Sequence, residues 1–237
     1  MGPKVSIIIP AHNEEGNLRK CVSSVMKTCK KLDYEIVLVD DVSRDKTGGI
    51  VDDLAKRYRR VKSVHRKMPN GFGRAIKTGL EKSKGDILIP FMADMSDDPK
   101  TILKMVKGID SGYDIAVGSR FIKGGKTVDY PKAKYLAHRI YNKLVALVFM
   151  KDIKDFSNAF KAYRRGVLDG VDIESDGFEI TSEMILKPII MKNAKVIEVP
   201  TTWKNRKTGK AKFSGLYKQG WCYGKVLLKA LKMKVSH

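Results

Sequence analysis

Short β-branched apolar runs recur through the first 120 residues, each followed by a stretch with helical spacing. This alternation is the strongest constraint on the fold. Val5–Ile9 is brief, uninterrupted and rich in isoleucine, which reads as a buried strand. Asn13-Glu14-Glu15 then predicts a helix opening, with Leu18, Val22, Val25 and Met26 on one face. Further strands are predicted over Glu35–Val39, Val61–His65, Asp86–Phe91 and Asp114–Val117. Between them, helices are predicted over 48–59, Gly71–Ser83 and Pro99–Gly108. Repeated strand–helix units specify an α/β protein with a mainly parallel sheet flanked by helices and joined by right-handed crossovers.

The second half departs from this rhythm. Lys132–Met150 has the spacing of one amphipathic helix, 155–163 reads as extended or irregular, and 178–192 as another helix before a strand at Ala194–Pro200. No Gly-, Pro- or Ser-rich linker divides the chain. The expected organisation is one domain over 1–212 and a basic amphipathic extension over 213–237. At 237 residues with 43% hydrophobic content, the chain can bury a full core, which excludes disorder as its main state. Three cysteines exclude a disulfide framework and most zinc sites, and they fit a reducing, cytoplasmic compartment. Leu144–Met150 is the longest unbroken apolar run, far below the ~20 residues that a spanning helix requires. The segment after Lys4 lacks the pattern of a signal peptide.

Charge narrows the partners. Lys and Arg number 47 against 26 Asp and Glu, for a net charge of +21. An anionic membrane, a phosphorylated substrate or a nucleic acid would each answer that excess. From Thr201 to His237 there are ten Lys or Arg and no Asp or Glu, so the excess is concentrated at the end of the chain.

Open parallel sheets bind ligands beyond the carboxyl ends of their strands. Here those ends carry Pro10-Ala11-His12-Asn13-Glu14, Asp40-Asp41, Ala93-Asp94-Met95-Ser96-Asp97-Asp98 and Gly118-Ser119-Arg120. Carboxylates beside an arginine can hold a ribose, a base and a metal-bound diphosphate. Plain structural roles compete at each point. Asp40-Asp41 can be a simple approach to a helix. Asp98-Pro99 has the chemistry of a helix start, which leaves Asp94 for the site. Gly71-Phe72-Gly73 does not meet the dinucleotide fingerprint, which follows a first strand, and no P-loop motif occurs. Both observations count against nicotinamide, flavin and P-loop chemistry.

The ordered set of motifs resembles the family 2 glycosyltransferases of the GT-A (Rossmann-like) fold. Within them it resembles the branch of dolichyl-phosphate mannose synthases and other polyprenyl-phosphate glycosyltransferases. The resemblance rests on Ile8–Glu15, Val39–Thr47, Asn70–Ala75, Gly85-Asp86, Met92–Pro99, Gly118–Arg120, Asp155–Tyr163, Gly177-Phe178 with Glu183, and Glu198–Pro200 with Arg206. It implies a nucleotide-sugar donor held by Pro10, His12, Glu14, Asp41, Arg74 and Asp94, with Glu14 on the ribose and Asp41 on the base. It implies Mg²⁺ or Mn²⁺ at Asp94 with Ser96, or with Asp97, and an acceptor phosphate facing Arg120, Lys134, His138 and Arg206. Asp94, Arg120 and Arg206 would be the catalytic residues. Four positions depart from the family pattern: Met92 stands where an Asp is usual, His12 for Tyr, Val42 for a small residue and Lys134 for Arg. A thioether is a poor ligand for oxygen-seeking cations.

The implied reaction is an inverting transfer, with mannose from GDP-mannose as the favoured donor and a polyprenyl or dolichyl phosphate as acceptor. A UDP-glucose donor or a glycan hydroxyl acceptor is the alternative, and in the hydroxyl case Asp97 would serve as base. A lipid acceptor brings in the membrane. Lys132–Met150 mixes Leu136, Ile140, Leu144 and Leu147 with lysines, and the tail sets Trp221, Leu227 and Leu228 beside Lys225, Lys229 and Lys232. Such basic amphipathic helices lie in a membrane interface. Peripheral attachment to an anionic surface at the cytoplasmic face is therefore expected. The competing role is packing of both apolar faces on the sheet. Nucleic-acid binding is not expected, because the strand-end carboxylates would repel a phosphate backbone and no recognition motif is present.

Overall fold

The computed structural model describes residues 4–205 and 216–236. Its frame is three parallel apolar strands, β1 (Val5–Ala11), β2 (Tyr34–Asp40) and β3 (Val61–His65). β1 is buried along its whole length and pairs in parallel register with β2 (Ile7 opposite Ile36) and with β4 (Ile87–Pro90; Ile7 opposite Ile89). The helices that connect these strands are α1 (Leu18–Cys29), α2 (Thr47–Arg57) and α3 (Phe72–Lys82). α4 (Thr101–Asp110) leads from β4 into β5 (Ile115–Ser119). Beyond them come β6 (Lys126–Val128), α5 (Lys132–Phe149), β7 (Lys161–Arg164), the single turn α6 (Arg165–Leu168) and α7 (Ile180–Lys192). β8 (Val196–Pro200), β9 (Thr202–Lys204) and α8 (Leu216–Ser236) complete the order.

Seven strands form one sheet in the order β3-β2-β1-β4-β7-β5-β8, and β6 with β9 makes a small second sheet. Only β7 runs antiparallel to its neighbours in the large sheet. Side chains alternate between its faces. Ile7 and Ile9 join a core with α1, α2 and α4 on one side, while Ile8 joins a second core with α3, α5, α7 and α8 on the other. α3 lies close against the sheet at Gly79, where an added Cβ would overlap Ile8 Cγ2.

Three expectations shift. The first helix starts at Leu18 and not near Asn13, because 13–15 are tied to the loop that follows β2. Asn13 N donates to Ser43 Oγ (3.0 Å), Glu14 N to Thr47 Oγ1 (2.8 Å) and Lys46 N to Glu15 Oε2 (3.0 Å). The 155–163 stretch ends in β7, a central strand that four residues and a wholly buried Lys161 concealed from pattern reading. α8 is divided by face: Val226, Leu227 and Ala230 are buried in the second core, whereas Trp221, Leu228 and Val235 are exposed.

Candidate active site

The carboxyl edge of the sheet is shaped by unusual backbone. Asn13 (φ 51°), Val42 (φ 62°) and Met95 (φ 58°) follow β1, β2 and β4, and all three take left-handed conformations. For a β-branched residue such as Val42 this is strained, and strain of that kind clusters where a site fixes its loops.

One pocket opens at this edge. Glu14 after β1, Met92, Asp94, Ser96 and Asp97 after β4, and Arg120 after β5 line one part of it. Lys134 and His138 of α5, Ser157 and Asn158 before β7, Phe178 and Thr181 at the start of α7, Trp203 of β9 and Tyr223 of α8 line the rest. The loop after β4 is pinned from both sides. Asp94 Oδ1 accepts from Ser96 N (3.0 Å) and Ser96 Oγ (2.6 Å), while β9 fastens the same loop through Lys204 N to Ser96 O (2.7 Å). Asp98 N donates to Thr202 O (3.1 Å), and Asp98 Oδ1 accepts from Lys100 N (3.0 Å), which is turn chemistry ahead of α4.

Arg120 is buried and held in a fixed pose. Its Nε and Nη2 grip the two oxygens of Asp155 (2.8 and 2.7 Å), Nη2 also reaches Ser157 Oγ (3.0 Å), and Nη1 donates to Tyr130 Oη (2.9 Å). Bidentate charge-assisted bonds of this kind are the strong class. Asp155 in turn has its pKa held down against burial by that guanidinium. Asp97 goes the other way. Burial pushes it up to about 7, with Asp94 and Asp155 adding to the rise, against Arg120 and the Asn158 amide. Asn158 Nδ2 donates to Gly118 O (2.7 Å) and lies 3.4 Å from Asp97 Oδ1. Burial, then Arg120 and Lys134, depress His138 to about 3, so its imidazole is neutral beside Ser157 Oγ (2.7 Å). Lys134 lies over the Tyr130 and Trp203 rings, with its pKa lowered by burial and by Arg120.

The other residues expected to bind the donor lie along the same edge but outside this pocket's lining. Pro10 is buried within β1. His12 Nδ1–H donates to Asp41 O (2.7 Å), which leaves Nε2 to accept from Asn13 Nδ2 (3.2 Å). Asp41 Oδ2 accepts from Gly71 N (2.8 Å), and its other oxygen pairs with Arg66. Arg74 is directed to Asp176 (2.5 Å), which Lys77 also contacts (2.9 Å). Arg206 lies outside the described residues.

Residues that the motif reading left without a role complete the walls. The segment 172–179 is fastened to α3 through Gly73 N to Asp176 O (2.8 Å) and a Phe72–Phe178 stack at 4.4 Å. Gly73 is required there, since a Cβ would meet Ser175 O at 2.6 Å. Buried Glu183 accepts from Glu174 N (3.0 Å) and Ser175 N (2.8 Å). From α8, Lys229 pairs with Glu174 (2.6 Å), and Tyr223 Oη donates to Phe178 O (3.1 Å). Lys161 Nζ staples the 156–158 loop to α7 through the carbonyls of Phe156 (2.9 Å), Asn158 and Thr181 (3.0 Å). Lys161 and Asp155 stood within a quoted motif and could have been found there. Tyr223 read only as one of the apolar residues of the basic amphipathic tail, because its partner Phe178 is 45 residues away.

The pocket's donor set limits how a cation can bind. Among the described residues no three His, Cys, Asp or Glu side chains form a metal-holding group. Asp94 and Ser96 offer one carboxylate and one hydroxyl, Asp97 beside them adds a buried carboxyl, and Met92 adds only a thioether. Mg²⁺ and Mn²⁺ are commonly held by one or two carboxylates together with substrate phosphates and water. These residues therefore fit an ion that arrives with a diphosphate, not a resident one.

A mostly parallel sheet in this strand order, with a carboxylate-rich carboxyl edge, defines a GT-A glycosyltransferase fold. The chain belongs to glycosyl transferase family 2, whose model matches residues 6–171. It is 37% identical over 90% of its length to a dolichol-phosphate mannosyltransferase of Pyrococcus furiosus, of which it spans 60%. It is 31% identical over 88% of its length to a polyprenol monophosphomannose synthase of Mycolicibacterium smegmatis, covering 80% of that protein. The fold also superposes on glucosyl-3-phosphoglycerate synthase from Mycobacterium tuberculosis in complex with Mn²⁺, UDP and phosphoglyceric acid. That match has a TM-score of 0.74 at 16% identity, over 97% of this chain and 79% of that one.

Proposed function

We propose that this protein is an inverting hexosyltransferase that moves a sugar, mannose from GDP-mannose, onto a polyprenyl phosphate at the cytoplasmic face of a membrane. The observation that carries the proposal is a single pocket that brings carboxylates and cations together, bordered by a helix with an exposed apolar stripe. Glu14, Asp94 and Asp97 line it together with Arg120 and Lys134. α5 runs on from Lys134 and His138 into Leu136, Ile140, Leu144 and Leu147, which are 46–76% exposed. Relatives named for transfer to polyprenyl phosphates support the same acceptor class.

In this reading an acceptor phosphate oxygen attacks the anomeric carbon. The new C–O bond forms as the bond to the diphosphate breaks, and the nucleoside diphosphate leaves with the electron pair. A phosphate monoester is mostly dianionic near neutrality, so no general base is needed. Catalysis is then positioning and charge neutralisation. Asp155 fixes the pose of Arg120 and offsets its charge, and Lys134 supplies the further cation on the α5 side. Neutral His138 offers hydrogen bonding without charge. Glu14 and Asp41 are assigned to the ribose and base, with Pro10, His12 and Arg74 shaping that end, and Arg206 joins the acceptor side by resemblance alone. Mg²⁺ or Mn²⁺ bound with the donor at Asp94 and Ser96 would neutralise the leaving diphosphate.

The test is a donor screen with purified protein, a short-chain polyprenyl phosphate and either cation, with products identified by mass spectrometry. Mannosyl phospholipid is the expected product. Transfer from UDP-glucose alone would reassign the donor, a reading favoured by the UDP-bound structures of the same fold. Transfer only to glycan hydroxyls would overturn the acceptor. Among the described residues no helix is long and apolar enough to cross a membrane, so sedimentation with anionic liposomes tests the peripheral attachment.

A further inference from the structure

α5 borders two cationic sites, one on each flank. Lys134 and His138 line the catalytic pocket. Arg139 and Lys143, with Lys154 from the segment after the helix, border a separate cleft floored by Ile140, Ala146 and Ile153. Asn142 touches this cleft, but its amide is turned inward to Asp155 and Ser157 (3.3 and 3.2 Å). Among the described residues no carboxylate lines the cleft, in contrast to the catalytic pocket with its Glu14, Asp94 and Asp97. Three acids sit behind or beside its lining and each has a partner: Asp152 pairs with Lys154, Glu198 accepts from Lys154 N (2.9 Å), and Asp155 is held by Arg120. Arg139 is steadied over the Phe121 ring at 5.0 Å. Ile140 belongs both to the cleft and to the exposed apolar stripe, at 60% exposure. The cleft therefore opens beside the surface that would meet lipid tails.

We propose that this cleft holds the phosphate of an anionic phospholipid headgroup and so sets the depth and rotation of α5 on the bilayer. The proposal rests on the membrane reading above. A lipid-borne acceptor presents its own phosphate at headgroup level. From Lys134 to Lys143 the helix rises only about 13 Å at 1.5 Å per residue. A helix lying in the interface, with its apolar stripe sunk into the acyl boundary, therefore keeps both cationic sites at one depth. The absence of acids from the sequence of α5 removes the repulsion that a headgroup phosphate would otherwise meet. Cation next to apolar floor is the chemistry of a lipid headgroup, whereas a free phosphate would gain nothing from Ile140 and Ile153.

The experiment compares the full chain with a triple variant, Arg139→Gln, Lys143→Gln and Lys154→Gln, and with a charge-matched control, Lys31→Gln, Lys56→Gln and Arg59→Gln. Vesicles of phosphatidylglycerol in phosphatidylcholine are set against phosphatidylcholine alone. The cleft variant is expected to lose tenfold or more in affinity for the anionic vesicles, and the control less than threefold. Turnover of a water-soluble short-chain acceptor phosphate should be unchanged in both. Equal losses in the two variants would show only bulk charge and overturn the proposal, as would unchanged binding of the cleft variant. Displacement of the protein from vesicles by millimolar inorganic phosphate at constant ionic strength would reassign the cleft to free phosphate and also overturn it. A wild-type chain that turns over the short acceptor but ignores anionic vesicles sinks the cleft and spares the transferase. Selective loss of vesicle binding in a chain that transfers no sugar sinks the transferase and spares the cleft.

Discussion

Asp97 is 3% exposed in a pocket that, in the proposed reaction, admits two anions, and burial raises its pKa to about 7, which puts its charge under the control of pH. Below that value the carboxyl is neutral and adds no repulsion. Above it the carboxylate opposes an incoming phosphate. With a phosphate acceptor, kcat/KM should therefore fall as pH rises through about 7, and Asp97→Asn should flatten that limb while keeping turnover within about tenfold. A rate that instead rises with Asp97 ionisation, and collapses in the Asn variant, would make it a general base. At this scale the strand-end carboxylates Glu14 and Asp94 were legible in the sequence, because the ends of buried strands are predictable and few polar side chains occupy them. The pairing of Arg120 with Asp155 was not, since the two are 35 residues apart and each alone reads as an available charge. Nor was the burial of Lys161, which three carbonyls make tolerable.

Elements were legible where hydrophobic period and length agreed, as in β1, β2 and α5. They were not where tertiary contacts override local chemistry. β7 is four residues with polar ends, and only its place between β4 and β5 makes it a strand. The 13–15 segment before α1 looked like a helix start, but the backbone of Asn13 and Glu14 and the carboxylate of Glu15 are bonded to the loop after β2. Two predictions belong here. Gly79→Ala should lower stability by about 1–2 kcal/mol in denaturant unfolding, since overpacking against Ile8 costs about 1–3 kcal/mol and the gain in helix propensity returns up to about 1. Tyr223→Phe removes one donor to Phe178 O, which keeps its bond from Thr181 Oγ1 (2.9 Å). The stability loss should be about 1 kcal/mol by melting. Displacement of the Phe178 wall should lower kcat by about threefold to tenfold.

For the whole molecule, a net charge of +21 and an acid-free last helix make surface attraction a long-range effect. Affinity for anionic vesicles should drop steeply between low and physiological salt, as the screening length contracts from ~30 Å at 0.01 M to ~8 Å. Replacing Leu144 and Leu147 by Ser should weaken the salt-resistant remainder without shifting the melting temperature by more than a degree or two, because both side chains already face outward. Co-sedimentation across a salt series separates the two contributions. The sequence carried the charge and the stripe but not their placement, because which face of a helix is turned outward is decided by what the sheet has already covered.

Helix α8 has Tyr223 bonded to the pocket wall and, two positions earlier, Trp221 at 65% exposure. If what presses on the outer side of such a helix is felt on its inner side, thermodynamic reciprocity allows no one-way traffic between them. If lipid contact tightens the grip on a nucleotide sugar by some factor, a loaded enzyme must cling to lipid by that same factor. Spent molecules would then be the ones that let go, and the surface would retain those still carrying cargo.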